Sequence, residues 1–195
     1  MQGAHGLAGK WHPYEESIRV PLIIRDPRMT STKRGTLDDS FTLNIDLATT
    51  ILGAANLKPS TKMQGRDISD LYLSPSGGNT SATTPSPWRE DFFYELPLPQ
   101  FPDSTAVVTK DWKYVKWPSK KNYEQLFYLP KDRYELNDLL RNETSIHMPP
   151  DFTPDFVQEV LVLLRRRYDQ LHEAVISLID KANMPKCERR EYDGT

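Results

Sequence analysis

A tract at 74–87, SPSGGNTSATTPSP, limits the fold of this chain more than any other stretch. Serine, threonine, glycine and proline cannot bury enough apolar surface to offset the entropy of ordering, so the tract reads as a linker or exposed loop. It separates a front part with one helical pattern from a rear part of short β-like runs and one long helix. The organisation expected is therefore a first domain piece at 1–73, a linker at 74–90, a small subdomain at 91–183 and a frayed tail at 184–195.

In the rear part, Asp91 to Leu96, Thr105 to Thr109, Lys113 to Trp117 and Gln125 to Leu129 hold alternating or aromatic-rich residues. Their connections are short, as in an antiparallel meander. Tryptophans and tyrosines on one face of such a sheet form its core, with the lysines turned to solvent. From Asp155 to Lys181, Phe156, Val160, Leu163, Leu164, Leu171, Val175 and Ile179 recur at helical spacing, and Pro154 suits a first turn. The basic cluster Arg165-Arg166-Arg167 reads as a solvated face.

In the front part, Val20 to Ile24 is an apolar run closed by Asp26 and Pro27, and reads as a buried strand. Residues 28–40 lack apolar periodicity and read as a surface connection. A helix follows, with Asn44 as N-cap, Asp46 in its first turn, Leu47, Ile51, Leu52 and Ala55 as its core stripe, and Asn56 to close it.

Composition removes several function classes. With 25 basic and 27 acidic residues the net charge is -2, which provides no electrostatic case for nucleic acid or an acidic membrane surface. No run approaches the roughly eighteen apolar residues of a transmembrane helix. The first twenty residues do not read as a signal peptide. The lone cysteine, Cys187, excludes an internal disulfide framework. Two sequons, at 79–81 and 142–144, decide nothing without a known compartment.

The chemistry concentrates between His5 and Pro27, where two histidines, a lysine, two glutamates and an arginine precede the apolar run. Taken alone, such a glycine-rich loop is ordinarily solvated surface. Its segment GKWHPYEESIRVP, however, resembles a loop of the sulfatases, in the alkaline phosphatase superfamily. In that family a sulfate-binding lysine leads through Tyr-Glu and then Arg-Val-Pro into a core strand. Lys10 matches the lysine, Tyr14 and Glu15 the pair, and Arg19, Val20 and Pro21 the approach to the strand. The preceding GAHGL is similar to the Gly-Glu-His-Gly-Leu of many bacterial members, with Ala4 in place of glutamate, and places His5 on the pattern. Further matches are Asp46-Leu47-Ala48 with Thr50, Gly65-Arg66-Asp67 with Leu71, Trp112-Lys113-Tyr114, the run from Gln125 to Leu129, and Asp132, Glu135, Asn137 or Asp138, and Leu139.

The resemblance implies the end of an alkaline-phosphatase-like α/β sandwich, followed by a small α+β subdomain with an antiparallel sheet and a long C-terminal helix. It implies Lys10 and His5 as catalytic and substrate-binding residues, with His12 left as surface. A sulfate ester gains charge on its leaving oxygen as the bond to sulfur breaks. An ammonium beside that oxygen stabilises the transition state more than the ground state, and an imidazole can donate to the same atom.

Sulfatases of this type also use a formylglycine made from a Cys/Ser-x-Pro/Ala-x-Arg motif, and a divalent metal, usually calcium. Neither Cys187 nor any serine here satisfies that motif. Asp38-Asp39 lacks the roughly six oxygens a hard cation needs. The expectation is a C-terminal sulfatase fragment, inactive alone, with Met1 internal to a longer protein that hydrolyses sulfate esters of a carbohydrate or aryl alcohol. A phosphodiester or phosphonate ester hydrolase of the same superfamily, and a non-catalytic sulfatase-like binding chain, remain as alternatives. The family is often secreted, periplasmic or lysosomal, and the sequence does not choose among these.

Overall fold

The computed structural model describes residues 3–73, 87–96, 103–121, 123–141 and 152–181. Most of the low-complexity tract, both sequons and the tail with Cys187 lie outside the described residues. The chain packs as two compact units, one of Met1–Val20 together with Asp91–Thr195, the other of Pro21–Glu90. This division differs from the expected one, since residues 1–20 fold with the rear unit. Residues 88 and 89 belong to the second unit and are not linker: the Trp88 indole N–H donates to Phe41 O at 2.8 Å, and Arg89 pairs with Asp46.

The first unit is built on four antiparallel strands in the order β1 (Asp91–Leu96), β2 (Ser104–Thr109), β3 (Trp112–Trp117) and β4 (Tyr123–Tyr128). The expected meander is present, with the last three strands starting one or two residues earlier. Cross-strand pairing aligns Phe93, Val107, Tyr114 and Leu126 on one face, and Tyr94, Ala106, Val115 and Gln125 on the other. Both faces are covered, so β2 is buried continuously from Ser104 to Val108 and not at alternate residues.

Helix α4 (Pro154–Lys181) covers the first face. It starts where proline is tolerated, and the Thr153 hydroxyl accepts the Phe156 N–H at 3.2 Å as a cap. Its buried stripe is Val157, Leu161, Leu164 and Tyr168. Phe156 and Leu163, expected in the core, are exposed. The apolar run at 160–164 supports more than one helical stripe, and only the sheet selects among them. The Tyr168 hydroxyl reaches Thr105 Oγ1 at 2.9 Å.

Arg165 and Arg167 are not a free solvated face. Arg165 donates to Glu124 of β4 at 3.2 Å, and Arg167 donates to both carboxylate oxygens of Asp91 in β1 at 2.5 and 2.9 Å. One helix turn thus clips both edge strands with bidentate arginine pairs.

The second unit contains α2 (Asn44–Ala54) and α3 (Ser69–Tyr72). Its centre is Asp46, fully buried and held by Arg89, by the Leu43 N–H at 2.7 Å and by the Arg66 N–H at 2.8 Å. Burial alone would raise this carboxyl, but those donors together hold it below the usual carboxylate range. Gly65 is required here, because a Cβ at that position would lie 2.1 Å from Ile45 O. Asn56 closes the helix in the left-handed region at φ 56°, its N–H bonded to Gly53 O at 3.0 Å.

Two expectations for this region are overturned. Helix α2 buries Asp46 and Thr49 and leaves Leu47 and Ile51 exposed, the reverse of the apolar stripe expected. Val20 to Ile24 forms no strand, and Ile23 is 92% exposed. A strand needs a hydrogen-bonded neighbour, and this run is no part of the four-stranded sheet. Residues 31–39 are exposed, as a surface connection should be.

Leu161→Ala is expected to lower stability by about 2–5 kcal/mol in denaturant titration, through the cavity left under α4. Asp46→Asn is expected to cost about 3–5 kcal/mol at pH 7 by leaving Arg89 without its counter-charge. Because the folded carboxyl titrates below its unfolded value, the stabilisation is present above about pH 4 and is lost as pH falls through the lower folded value. The wild-type and Asp46→Asn melting temperatures should therefore converge on acidification.

Candidate functional site

The second sheet face is covered by the loop from Gly3 to Val20, which carries His5 and Lys10. Tyr14 is its anchor. The ring packs with Ala106, Val115, Trp117 and Phe127, and the hydroxyl donates to Gln125 Oε1 at 3.2 Å. The Trp117 indole N–H donates to the same oxygen at 3.0 Å. Burial pushes the Tyr14 phenol up despite the Gln125 bond, so it stays a neutral donor near pH 7.

His5 lies flat on Tyr14, ring centroids 4.0 Å apart and planes 7° from parallel. It sits in a 3-10 turn (Ala4–Gly6) with φ 54°, a left-handed conformation that turns the chain back over the sheet. Its Nε2 is 3.9 Å from Glu16 Oε2, and neither atom has a hydrogen-bond partner among the described residues. His12, expected as plain surface, is half-buried 5.2 Å from the Trp117 ring. Burial first, then the charges of Lys120 and His5, lower its pKa, which favours the neutral imidazole.

After Tyr14 the chain enters α1 (Glu15–Ile18), where the loop is held by a buried ion cluster. Lys113 of β3, expected to face solvent, is 0% exposed. Its ammonium donates to Pro13 O at 3.1 Å and to Glu15 Oε1 at 2.7 Å, and lies 2.6 Å from Glu135 Oε1. Glu135 Oε2 accepts the Glu15 N–H at 2.6 Å. Burial raises the Glu135 carboxyl, against the opposing effects of Lys113 and the Glu15 N–H. Glu135 itself has φ 53°, in the turn where Asp132 accepts the N–H groups of Leu136 and Asn137.

Lys10 is exposed and makes no hydrogen bond or ion pair among the described residues. The preceding Gly9 has φ 79°, and a Cβ there would lie 2.2 Å from the Trp11 indole nitrogen, so the bend that presents Lys10 requires glycine. The structure thus brings His5, Tyr14 and Glu16 together and leaves the Lys10 side chain in solvent.

Lys113, Glu135 and Gln125 were not legible as loop anchors. The available signal was period two: Lys113 shares its strand face with Val115 and Trp117, so a lysine there points into a covered layer. A concavity lined by residues 24–27, Met29, Arg34 and Gly35 lies in the Pro21–Glu90 unit and includes neither candidate residue.

Among the described residues no three or more His, Cys, Asp or Glu side chains are grouped to hold a metal ion, so these residues do not fit the calcium that the family implies. Among them, too, no helix is long and apolar enough to cross a membrane. Gln125→Leu should remove the shared acceptor of Tyr14 and Trp117 and cost about 1–3 kcal/mol in thermal or urea unfolding, with little change in helical circular dichroism.

Comparison with known proteins places this architecture. The family described as N-sulphoglucosamine sulphohydrolase, C-terminal, matches residues 3–157. An arylsulfatase of Clostridium perfringens is 32% identical over 145 residues, covering 73% of this chain and 28% of that protein. An N-acetylglucosamine-6-O-sulfatase of Bacteroides thetaiotaomicron is 26% identical over 143 residues, covering 70% of this chain and 24% of that protein. The solved structure of BT4656 in complex with its substrate D-glucosamine-2-N,6-O-disulfate superposes with a TM-score of 0.69 at 22% identity, over 97% of this chain and 34% of that one. That likeness shows the fold. The chain spans about a quarter of the length of the two curated relatives. On the match across residues 3–157, it belongs to the N-sulphoglucosamine sulphohydrolase C-terminal family of sulfatases.

Proposed function

We propose that the protein to which this chain contributes hydrolyses sulfate esters of a carbohydrate or an aryl alcohol, with Lys10 assisting departure of the alcohol and His5 beside it. The observation that carries this reading is the Lys10 ammonium, exposed and unpaired among the described residues on a loop whose neighbouring residues are anchored. A structural lysine would be engaged, as Lys113 is. An unengaged one on a pinned loop is free to meet an anion. The relatives named as an arylsulfatase and as an N-acetylglucosamine-6-O-sulfatase support the two alcohol classes.

As the ester bond to sulfur breaks, negative charge develops on the leaving oxygen, and a fixed ammonium there stabilises the transition state. His5 serves as the second donor to that oxygen, its ring held by the Tyr14 stack, with the Glu16 carboxylate 3.9 Å from Nε2. The formylglycine nucleophile has no source motif in this sequence, so the nucleophile is supplied from outside the chain and the chain alone is inactive. No metal step is assigned to these residues.

In the complete protein, Lys10→Ala should lower kcat/KM on an aryl sulfate and on a 6-O-sulfated glucosamine by about 10²–10³, with Lys10→Arg retaining part of the rate. Equal rates for Lys10→Ala and wild type would sink the role of Lys10. Faster turnover of the paired phosphate esters would move the protein to the phosphodiester hydrolases. Turnover of neither ester class would leave the binding chain.

A further inference from the structure

We infer that Lys113 is a positioning residue for the loop that carries His5 and Lys10, acting through Pro13 and Glu15; the inference rests on the proposed role of Lys10. The ammonium donates to Pro13 O and Glu15 Oε1 and sits 2.6 Å from Glu135 Oε1 as an ion pair, so three acceptor atoms surround it and two of them fix its direction. Two of the cluster's bonds are to main-chain atoms of the loop, Pro13 O and the Glu15 N–H. The backbone is therefore held on both sides of Tyr14, the residue on which His5 stacks. Lys10 precedes Pro13 by three residues, a span of at most about 11 Å, so the anchor limits where its ammonium can go.

Stability alone does not account for this cluster. Lys113 pairs across the sheet with Val108 and Phe127, both buried, a setting in which an apolar side chain would pack as well. Buried ion pairs are commonly neutral or worse than apolar replacements of similar volume. Direction is what the ammonium adds, since an unbranched apolar side chain such as methionine would fill most of the space without selecting Pro13 O. Glu135 supports the same reading. A non-glycine residue at φ 53° is strained backbone, and here it aims a fully buried carboxylate at the loop and its lysine.

The test uses the complete protein with Lys113→Met/Glu135→Leu, which removes the pair without stranding either charge. Glu15 is partly exposed and keeps Arg19 at 4.0 Å. Amide hydrogen exchange is read by mass spectrometry over 3–20 and over α4, and kcat on an aryl sulfate is read with and without Lys10→Ala. We expect exchange in the loop to rise at least about tenfold with α4 unchanged. We also expect Lys10→Ala, worth about 10²–10³ in the parent, to cost less than about tenfold in the double variant. If the double variant fails to fold, Glu135→Gln replaces it. That change keeps an acceptor for the Glu15 N–H, and an intermediate loss in both readouts is expected.

Unchanged exchange in the loop overturns the inference. So does a loosened loop with an undiminished Lys10→Ala effect, because the anchor would then hold structure without placing the lysine. If the parent hydrolyses no sulfate ester, the proposed function fails, and positioning for catalysis fails with it. Exchange then reports separately whether Lys113 anchors the loop.

Discussion

The rear unit depends on one ammonium placed where water does not reach. Lys113 lies in a strand buried on both faces, and its charge is tolerated because two carboxylates and a main-chain carbonyl meet it there. An uncompensated charge in that position would be costly enough to prevent the layer from closing. Its partners come from two stretches distant in sequence, one at residues 13–15 and one at Glu135. Satisfying one lysine therefore ties the loop, the third strand and the turn after the fourth into a single object.

The two faces of the sheet are closed by different means. Helix α4 buries an aliphatic stripe against Val107, Tyr114 and Leu126, and its arginines fasten the edge strands at Asp91 and Glu124. Burial of each such side chain is worth about 1.5–3 kcal/mol, and it is non-directional. The opposite face is closed by a loop with little aliphatic surface, so specific polar bonds replace area. Gln125 accepts from Tyr14 and Trp117, and Lys113 and Glu135 hold the backbone on either side of Tyr14. A layer held by directional bonds has one defined position.

The unit at 21–90 is organised by another buried charge, Asp46, which gathers the start of α2, Arg66 and Arg89. Its apolar residues behave differently from those of the sheet. Ile23, Leu37 and Ile51 are largely exposed.

Period-two alternation and short turns made the four strands legible, because those patterns follow from local backbone geometry. The long helix was legible from its spacing and from Pro154, although the buried stripe was not, since five consecutive apolar residues satisfy several phases. The resemblance to sulfatases included Glu15, Lys113 and Glu135, and the structure brings those three together in one buried ion cluster. Sequence by itself determined the four strands, the two longer helices and the family to which they belong, because each depends on neighbours in the chain, whereas the strand expected at Val20 to Ile24 does not form. Only tertiary structure decided that Lys113 points inward, that α2 buries its acidic side and that Lys10 has no partner among the described residues. The first two depend on charges brought from 20 to 98 residues away, and no local pattern encodes such a meeting.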